Sequence, residues 1–175
     1  MQRRTFLKQI IVSVPILALS PKLFAQSTAN SLKFGWVTDI HYAKAPVKWN
    51  RYFEQSIDKL TEVVECFNSN DLDFAIETGD FKDQTEPPVE HETLAYLKMA
   101  EETFAKYNGP RYHVLGNHDL DSISKQQFQS IIKNTAIDYT QTFYSFVSKG
   151  FLIVVLDACF KKDGNSYNKG NFKWY

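Results

Sequence analysis

The sequence is poor in cysteine and carries no net charge. Two cysteines in 175 residues, Cys66 and Cys159, are too few for a disulfide scaffold; we expect free thiols, although a bridge between them stays possible. Lys and Arg number 20, as do Asp and Glu, so no basic surface for nucleic acid is indicated. With 43% apolar and 23% charged residues, the composition excludes disorder, collagen and a coiled coil and indicates one globular domain.

Long apolar runs are also absent. The longest, over residues 10–19, is too short to span a bilayer, which needs about 20 residues. It follows Arg3 and Arg4, and residues 1–25 hold four basic and no acidic side chains. This pattern predicts a twin-arginine-type signal peptide cleaved after Ala25, with an uncleaved N-terminal anchor as the alternative. The prediction implies the twin-arginine export machinery as a partner, a periplasmic or secreted location, and no stable membrane insertion after cleavage.

Downstream of this segment, predicted strands and helices alternate. Apolar residues recur at spacings of three and four in two stretches, which predicts amphipathic helices, and Ser124 with Gln127 resembles a capping box. The order of elements predicts an α/β domain with a largely parallel sheet. The predicted helices cover residues 51–68, 90–107 and 124–133; the predicted strands cover 32–38, 72–78 and 111–115, followed by a hairpin of 143–147 and 151–156.

Three clusters of polar residues follow three successive predicted strands. Because the carboxyl ends of parallel strands lie along one edge of the sheet, we expect the clusters to converge there. Carboxylate, imidazole and amide groups together suit divalent metals such as Mn, Fe or Zn. Each cluster alone is a weak signal, because such sequences are common in turns. The three clusters in this order, each after a predicted strand, are not expected by chance. The clusters are Asp39-Ile40-His41, Gly79-Asp80-Phe81-Lys82-Asp83 and Gly116-Asn117-His118-Asp119.

These clusters resemble the motifs of the calcineurin-like metallophosphoesterase superfamily over residues 32–160. The resemblance implies that the chain forms the N-terminal half of a four-layer α/β/β/α sandwich. The Gly-Asp-Phe form of the second cluster is more similar to the secreted phosphodiesterase and diphosphatase branches than to protein Ser/Thr phosphatases. In the latter, an Arg takes the place of Gln84, which follows Asp83 here.

The resemblance also implies a metal site. Asp39 and His41 would bind one divalent cation, Asp80 would bridge two, and Asn117 would bind the second through its amide oxygen. Two cations of this kind neutralise phosphoryl oxygens and lower the pKa of a bridging water. The implied function is an exported phosphoesterase that hydrolyses phosphomonoester, phosphodiester or nucleotide pyrophosphate bonds of a small-molecule substrate.

Two further residues receive catalytic roles from the resemblance. His118 would stand beside the scissile bond and protonate the leaving oxygen, and Asp83 would orient the imidazole of His118. Asp119 is expected to be structural. Of the other two histidines, His91 is expected on a solvated surface and His113 in a packed strand.

Histidine is absent after His118. The family completes its two-metal site with three histidines beyond this point, so we expect the domain of residues 26–175 to be C-terminally incomplete and part of a longer product. The alternative is a degenerate homologue that acts as a non-catalytic binding module. No Gly-x-Gly-x-x-Gly sequence follows any strand, which disfavours a Rossmann oxidoreductase. Aromatic residues near the first cluster either cover the core or stack on a base: Tyr42, Trp49, Tyr52 and Phe53.

Overall fold

The computed structural model describes residues 31–138 and 140–166, so the predicted signal peptide lies outside the described residues. Its centre is a three-stranded parallel sheet in the order β1-β2-β3. Strand β1 covers Phe34–Val37, β2 covers Phe74–Glu77 and β3 covers Arg111–His113. The predicted parallel sheet is therefore confirmed, and β2, buried along its whole length, is its middle strand.

Helices cover one face of this sheet. Helix α1 (Ser56–Asn68), helix α2 (Glu90–Phe104) and helix α3 (Lys125–Ile131) bury their apolar residues there, and a 3₁₀ turn (His118–Leu120) precedes α3. The predicted capping box at the start of α3 is present. Within the described part of the chain, no helix has the length and apolar character needed to cross a membrane. The core on this face includes Leu60, Val64, Ala75, Leu97, Ala100 and Phe104.

A hairpin covers the other face of the sheet. Strands β4 (Tyr144–Ser148) and β5 (Phe151–Val155) pair antiparallel. The ring of Phe146 stacks on that of Tyr112, with 3.6 Å between the ring centroids. Helices, parallel sheet and hairpin make an α/β/β arrangement, which agrees with the fold class predicted from the sequence.

Helix α1 begins five residues later than predicted. Lys48 and Arg51 exchange backbone hydrogen bonds of 3.3 and 2.9 Å, and the two residues between them have positive φ. This turn cannot continue into a helix. The apolar spacing that predicted a helix from Arg51 therefore includes Phe53, which lies before the helix starts. Phe53 is buried with Tyr42 instead.

Both cysteines are free in the structure. Cys66 is exposed on α1, whereas Cys159 is buried and its Sγ lies 3.4 Å from the carbonyl oxygen of Gly116. Burial raises the pKa of the Cys159 thiol to about 12, so this residue has little thiolate at neutral pH. A nucleophilic role for Cys159 is therefore not supported.

Candidate metal centre

The first two clusters lie side by side at the carboxyl edge of the sheet. The backbone N–H of Asp39 donates to the carbonyl of Gly79 at 3.0 Å, and the N–H of His41 donates to the carbonyl of Asp80 at 2.8 Å. These bonds continue the β1–β2 pairing beyond the ends of both strands. The predicted convergence of the first and second clusters is present in the structure.

Three residues of this edge have left-handed backbone conformations. The φ angles are 56° for Asp39, 48° for His41 and 57° for Asp80. Residues other than glycine adopt this backbone region at a cost of roughly 1 kcal/mol or more each. Residues in this conformation concentrate at functional sites. The surrounding hydrogen bonds hold the three residues in this conformation, which turns their side chains together.

His41 is the centre of this group. Its Nε2 lies 3.6 Å from Asp39 Oδ1 and 3.6 Å from Asp80 Oδ2. The side chain is 6% exposed, and Nε2 is a buried atom that no polar group in the described residues hydrogen-bonds. Two ligand atoms that each lie about 2.0–2.2 Å from a cation are about 3–3.5 Å apart. One imidazole nitrogen and two carboxylates at these separations therefore fit a divalent cation.

The third cluster meets the second through two glycines. Gly79 has a φ of 105°, and a Cβ added at Gly116 would overlap the backbone nitrogen of Asp80. The close approach lets the backbone N–H of His118 donate to Asp80 Oδ1 at 2.9 Å. Asp80 thus has one oxygen held by the third cluster and the other directed toward His41.

Asp119 lies beneath these loops, as expected of a structural residue. It is fully buried and accepts hydrogen bonds from the backbone N–H groups of Asp80, Phe81 and Gly116 at 2.8–2.9 Å, with Lys82 N at 3.4 Å. Burial raises the pKa of its carboxyl to about 6, against the Lys82 ammonium and the backbone donors, which lower it. One carboxylate therefore joins the second and third clusters.

The structure differs from the sequence prediction in the carboxylate that contacts His118. Asp83 Oδ2 lies 3.1 Å from Nδ1 of His41, whereas Nδ1 of His118 lies 2.6 Å from Asp121 Oδ2. The bond to Asp121 is the largest cause that raises the pKa of His118 above its ordinary value. Asp121 was not predicted from the sequence; its only signal is the three-residue spacing from His118, which places both on one side of the 3₁₀ turn.

Buried Lys82 explains this pairing. Its Nζ donates to the carbonyl oxygens of His118 at 2.6 Å and Asp121 at 2.8 Å. Burial lowers the pKa of the Lys82 ammonium to about 8, although four carboxylates nearby raise it. The ammonium fixes the turn in a conformation that brings Asp121 beside the imidazole.

Asn117 begins the same turn. It is half-buried, and its carbonyl oxygen accepts a hydrogen bond from the N–H of Leu120 at 3.2 Å. Its position between Gly116 and His118 keeps it at the edge that carries the three clusters. Its role as ligand to a second cation stays a prediction.

A cleft of about 570 Å³ opens beside His118. Trp49, 77% exposed, and Arg51 line its outer wall, and the Lys48 ammonium lies 4.5 Å from the centroid of the Trp49 ring. Of the four aromatic residues near the first cluster, Tyr42 and Phe53 cover the core, whereas Trp49 and Tyr52 face solvent. The inner end of the cleft carries Asp83, His118 and Asp121.

The motifs and their convergence match a known family. The family model for the calcineurin-like phosphoesterase matches residues 32–171. The chain belongs to this family. A crystal structure of a dimetal phosphatase from Danio rerio shares the fold, with a TM-score of 0.50 at 21% sequence identity over 57% of this chain and 33% of that chain.

Two curated relatives of this chain are named manganese-dependent ADP-ribose/CDP-alcohol diphosphatases. The relative from Arabidopsis thaliana is 32% identical over 132 residues, which cover 71% of this chain and 42% of the relative. The relative from Oryza sativa subsp. japonica is 31% identical over 143 residues, which cover 78% of this chain and 44% of the relative. The chain thus spans less than half the length of these relatives.

The other two histidines of the chain lie where they were expected. His91 is exposed at the start of α2. His113 is buried between the rings of Phe81 and Phe104, and its Nδ1 lies 3.1 Å from Asn134 Oδ1. Neither faces the group around His41, so the candidate site uses His41 and His118.

Proposed function

We propose that this chain hydrolyses a phosphate ester or nucleotide pyrophosphate bond with the help of divalent cations. The observation that carries the proposal is the buried Nε2 of His41, which faces the carboxylates of Asp39 and Asp80 at 3.6 Å. A buried imidazole nitrogen without a hydrogen-bond partner among the described residues is costly unless a ligand completes it. A divalent cation is the ligand that this set of atoms fits.

Each residue of the site has a defined task in this proposal. Asp39, His41 and Asp80 would hold the metal and Asn117 would bind a second cation; a bound metal would supply charge neutralisation and an activated water. The backbone N–H of His118 holds Asp80 in place at 2.9 Å. The imidazole of His118, at the inner end of the cleft, donates a proton to the leaving oxygen.

The cleft supports a substrate larger than a simple phosphomonoester. Its outer wall combines the exposed ring of Trp49 with the guanidinium of Arg51 and with Lys48. The Lys48 ammonium also pairs with Glu86 at 2.8 Å. Cationic side chains attract a pyrophosphate group, and an exposed indole offers a stacking surface for a base. Nucleoside diphosphate conjugates such as ADP-ribose and CDP-alcohols, named for both plant relatives, combine these two features.

Steady-state hydrolysis by the full chain tests this function. The purified protein is loaded with Mn²⁺ and given ADP-ribose or a CDP-alcohol, and nucleotide release is measured by chromatography. We expect slow, Mn²⁺-dependent turnover, because no histidine follows His118. Chelation should abolish it, and a His118→Gln variant should reduce it about 100-fold or more, because general acid catalysis contributes about 10²–10⁴-fold. Binding of Mn²⁺ without turnover of either substrate would instead support the binding-module alternative.

We also propose that the chain is exported through the twin-arginine pathway. The basic pair Arg3-Arg4 ahead of the apolar run at residues 10–19 supports this proposal. Fractionation of a bacterial host that expresses the full chain tests it. We expect processed protein in the periplasm and retention of an Arg3→Lys, Arg4→Lys double variant in the cytoplasm; equal export of both forms would contradict the proposal.

A further inference from the structure

We propose that Asp121 is the positioning residue of His118. Its Oδ2 lies 2.6 Å from Nδ1 of the imidazole. Among the described residues, this is the shortest contact between a carboxylate and the imidazole of His41 or His118. The role of His118 in turnover rests on the proposed function. The positioning by Asp121 does not, because it is a property of the folded chain.

The chemistry of the pair fixes one tautomer of His118. A carboxylate only accepts hydrogen bonds, so the nitrogen that faces it carries the proton. Nδ1 of His118 therefore keeps its proton in both the neutral and the cationic ring, and the proton that the proposed function gives to the leaving oxygen is the one on Nε2 of the cation. Which nitrogen of a histidine acts in a site is set by the hydrogen bond that the other makes.

Burial makes Asp121 well suited to this task. Its side chain is 2% exposed, compared with 29% for His118, and its second oxygen, Oδ1, is buried without a hydrogen-bond partner among the described residues. A buried carboxylate with one unsatisfied oxygen depends strongly on the contact that it does make. The carboxylate is therefore the buried partner of the pair, and the imidazole is the more exposed partner.

Hydrogen bonds to the backbone hold His118 and Asp121 beside each other. The N–H of Asp121 donates to the carbonyl of His118 at 3.0 Å, and Lys82 Nζ binds the carbonyl oxygens of both residues. These bonds run to backbone oxygens, so none of them is removed with the Asp121 carboxylate, although its charge also stabilises the Lys82 ammonium. A substitution at Asp121 therefore reports on the side-chain contact.

Asp83 provides the matched control. It is near His118 in space but pairs with Nδ1 of His41 at 3.1 Å, so each imidazole has its own carboxylate. The two rings lie edge to face with their centroids 5.0 Å apart. If Asp121 positions His118, then Asp121→Ala should change the state of His118 and Asp83→Ala should not. If Asp83 positions it, the two substitutions should have the opposite effects.

The test is the tautomeric state of His118, measured by long-range ¹H–¹⁵N correlation NMR on the full metal-free chain with labelled histidine. The signals of His118 are assigned by their loss in a His118→Gln variant, at a pH where the ring is neutral. We expect the Nδ1–H form in the wild type, loss of that form in Asp121→Ala, and no change at His118 in Asp83→Ala.

Two results would overturn the proposal. One is an Nε2–H form of His118 in the wild type, a measurement that does not depend on any variant folding. The other is a change of the His118 tautomer in Asp83→Ala but not in Asp121→Ala. The Nδ1–H form in a chain that turns over neither diphosphate substrate would support the positioning and count only against the proposed function.

Discussion

An Asp80→Asn substitution is expected to weaken Mn²⁺ binding by at least about 100-fold, because loss of a residue that only supports a metal ligand already costs about 10–100-fold. Asp80 has one oxygen 3.6 Å from His41 Nε2 and the other bound to the backbone N–H of His118 at 2.9 Å. An amide removes the negative charge that a divalent cation requires while it keeps the volume of the side chain. Isothermal titration with Mn²⁺ measures the affinity, and the hydrolysis assay is expected to lose most of its turnover in parallel.

Asp71→Asn is the control for this substitution. Asp71 is exposed and precedes β2, at the end of the sheet opposite to the metal site. The same change of charge there should leave Mn²⁺ affinity within about twofold of the wild type, because exposed charges farther apart than about 10 Å are screened by salt. Unchanged Mn²⁺ affinity in Asp80→Asn would rule out Asp80 as a ligand.

An Asp119→Ala substitution is expected to reduce the free energy of unfolding by at least about 4 kcal/mol, the largest effect on stability among the residues of the site. The carboxylate accepts four backbone N–H groups of the second and third clusters, and its removal leaves these donors buried without partners. It also removes the carboxylate whose charge raises the pKa of the buried Lys82 ammonium most. Urea unfolding followed by circular dichroism measures the loss.

The comparison for Asp119→Ala is Asp71→Ala. That side chain is exposed, so its truncation should change the free energy of unfolding by less than about 0.5 kcal/mol. If Asp119→Ala lost no more stability than this control, then the carboxylate would not be what joins the two loops. A variant that does not accumulate in soluble form is also consistent with the expected loss, provided that Asp71→Ala accumulates normally.

The fold and the convergence of the clusters could be predicted because both depend on local patterns. Apolar spacings of three and four located α1 and α2, and Gly79 marked the end of β2. Parallel strands that end in polar clusters place those clusters at one edge, whatever the details of packing. This rule predicts that Asp39, His41 and Asp80 lie close to one another.

Partners within the site could not be predicted in the same way. Whether Asp83 contacts His41 or His118 depends on the buried ammonium of Lys82 and on the conformation of the turn at His118, which no local pattern encodes. A lysine between two motif residues gives no sequence signal that it will be buried. Asp121 was missed for the same reason, because its role depends on the turn and not on a motif.

The left-handed backbone of Asp39, His41 and Asp80 has a consequence for substitutions at these positions. Each of them carries roughly 1 kcal/mol of backbone strain that glycine would not carry. An exchange to glycine at any of the three positions would therefore relieve local backbone strain and remove a side chain of the candidate metal site in the same step.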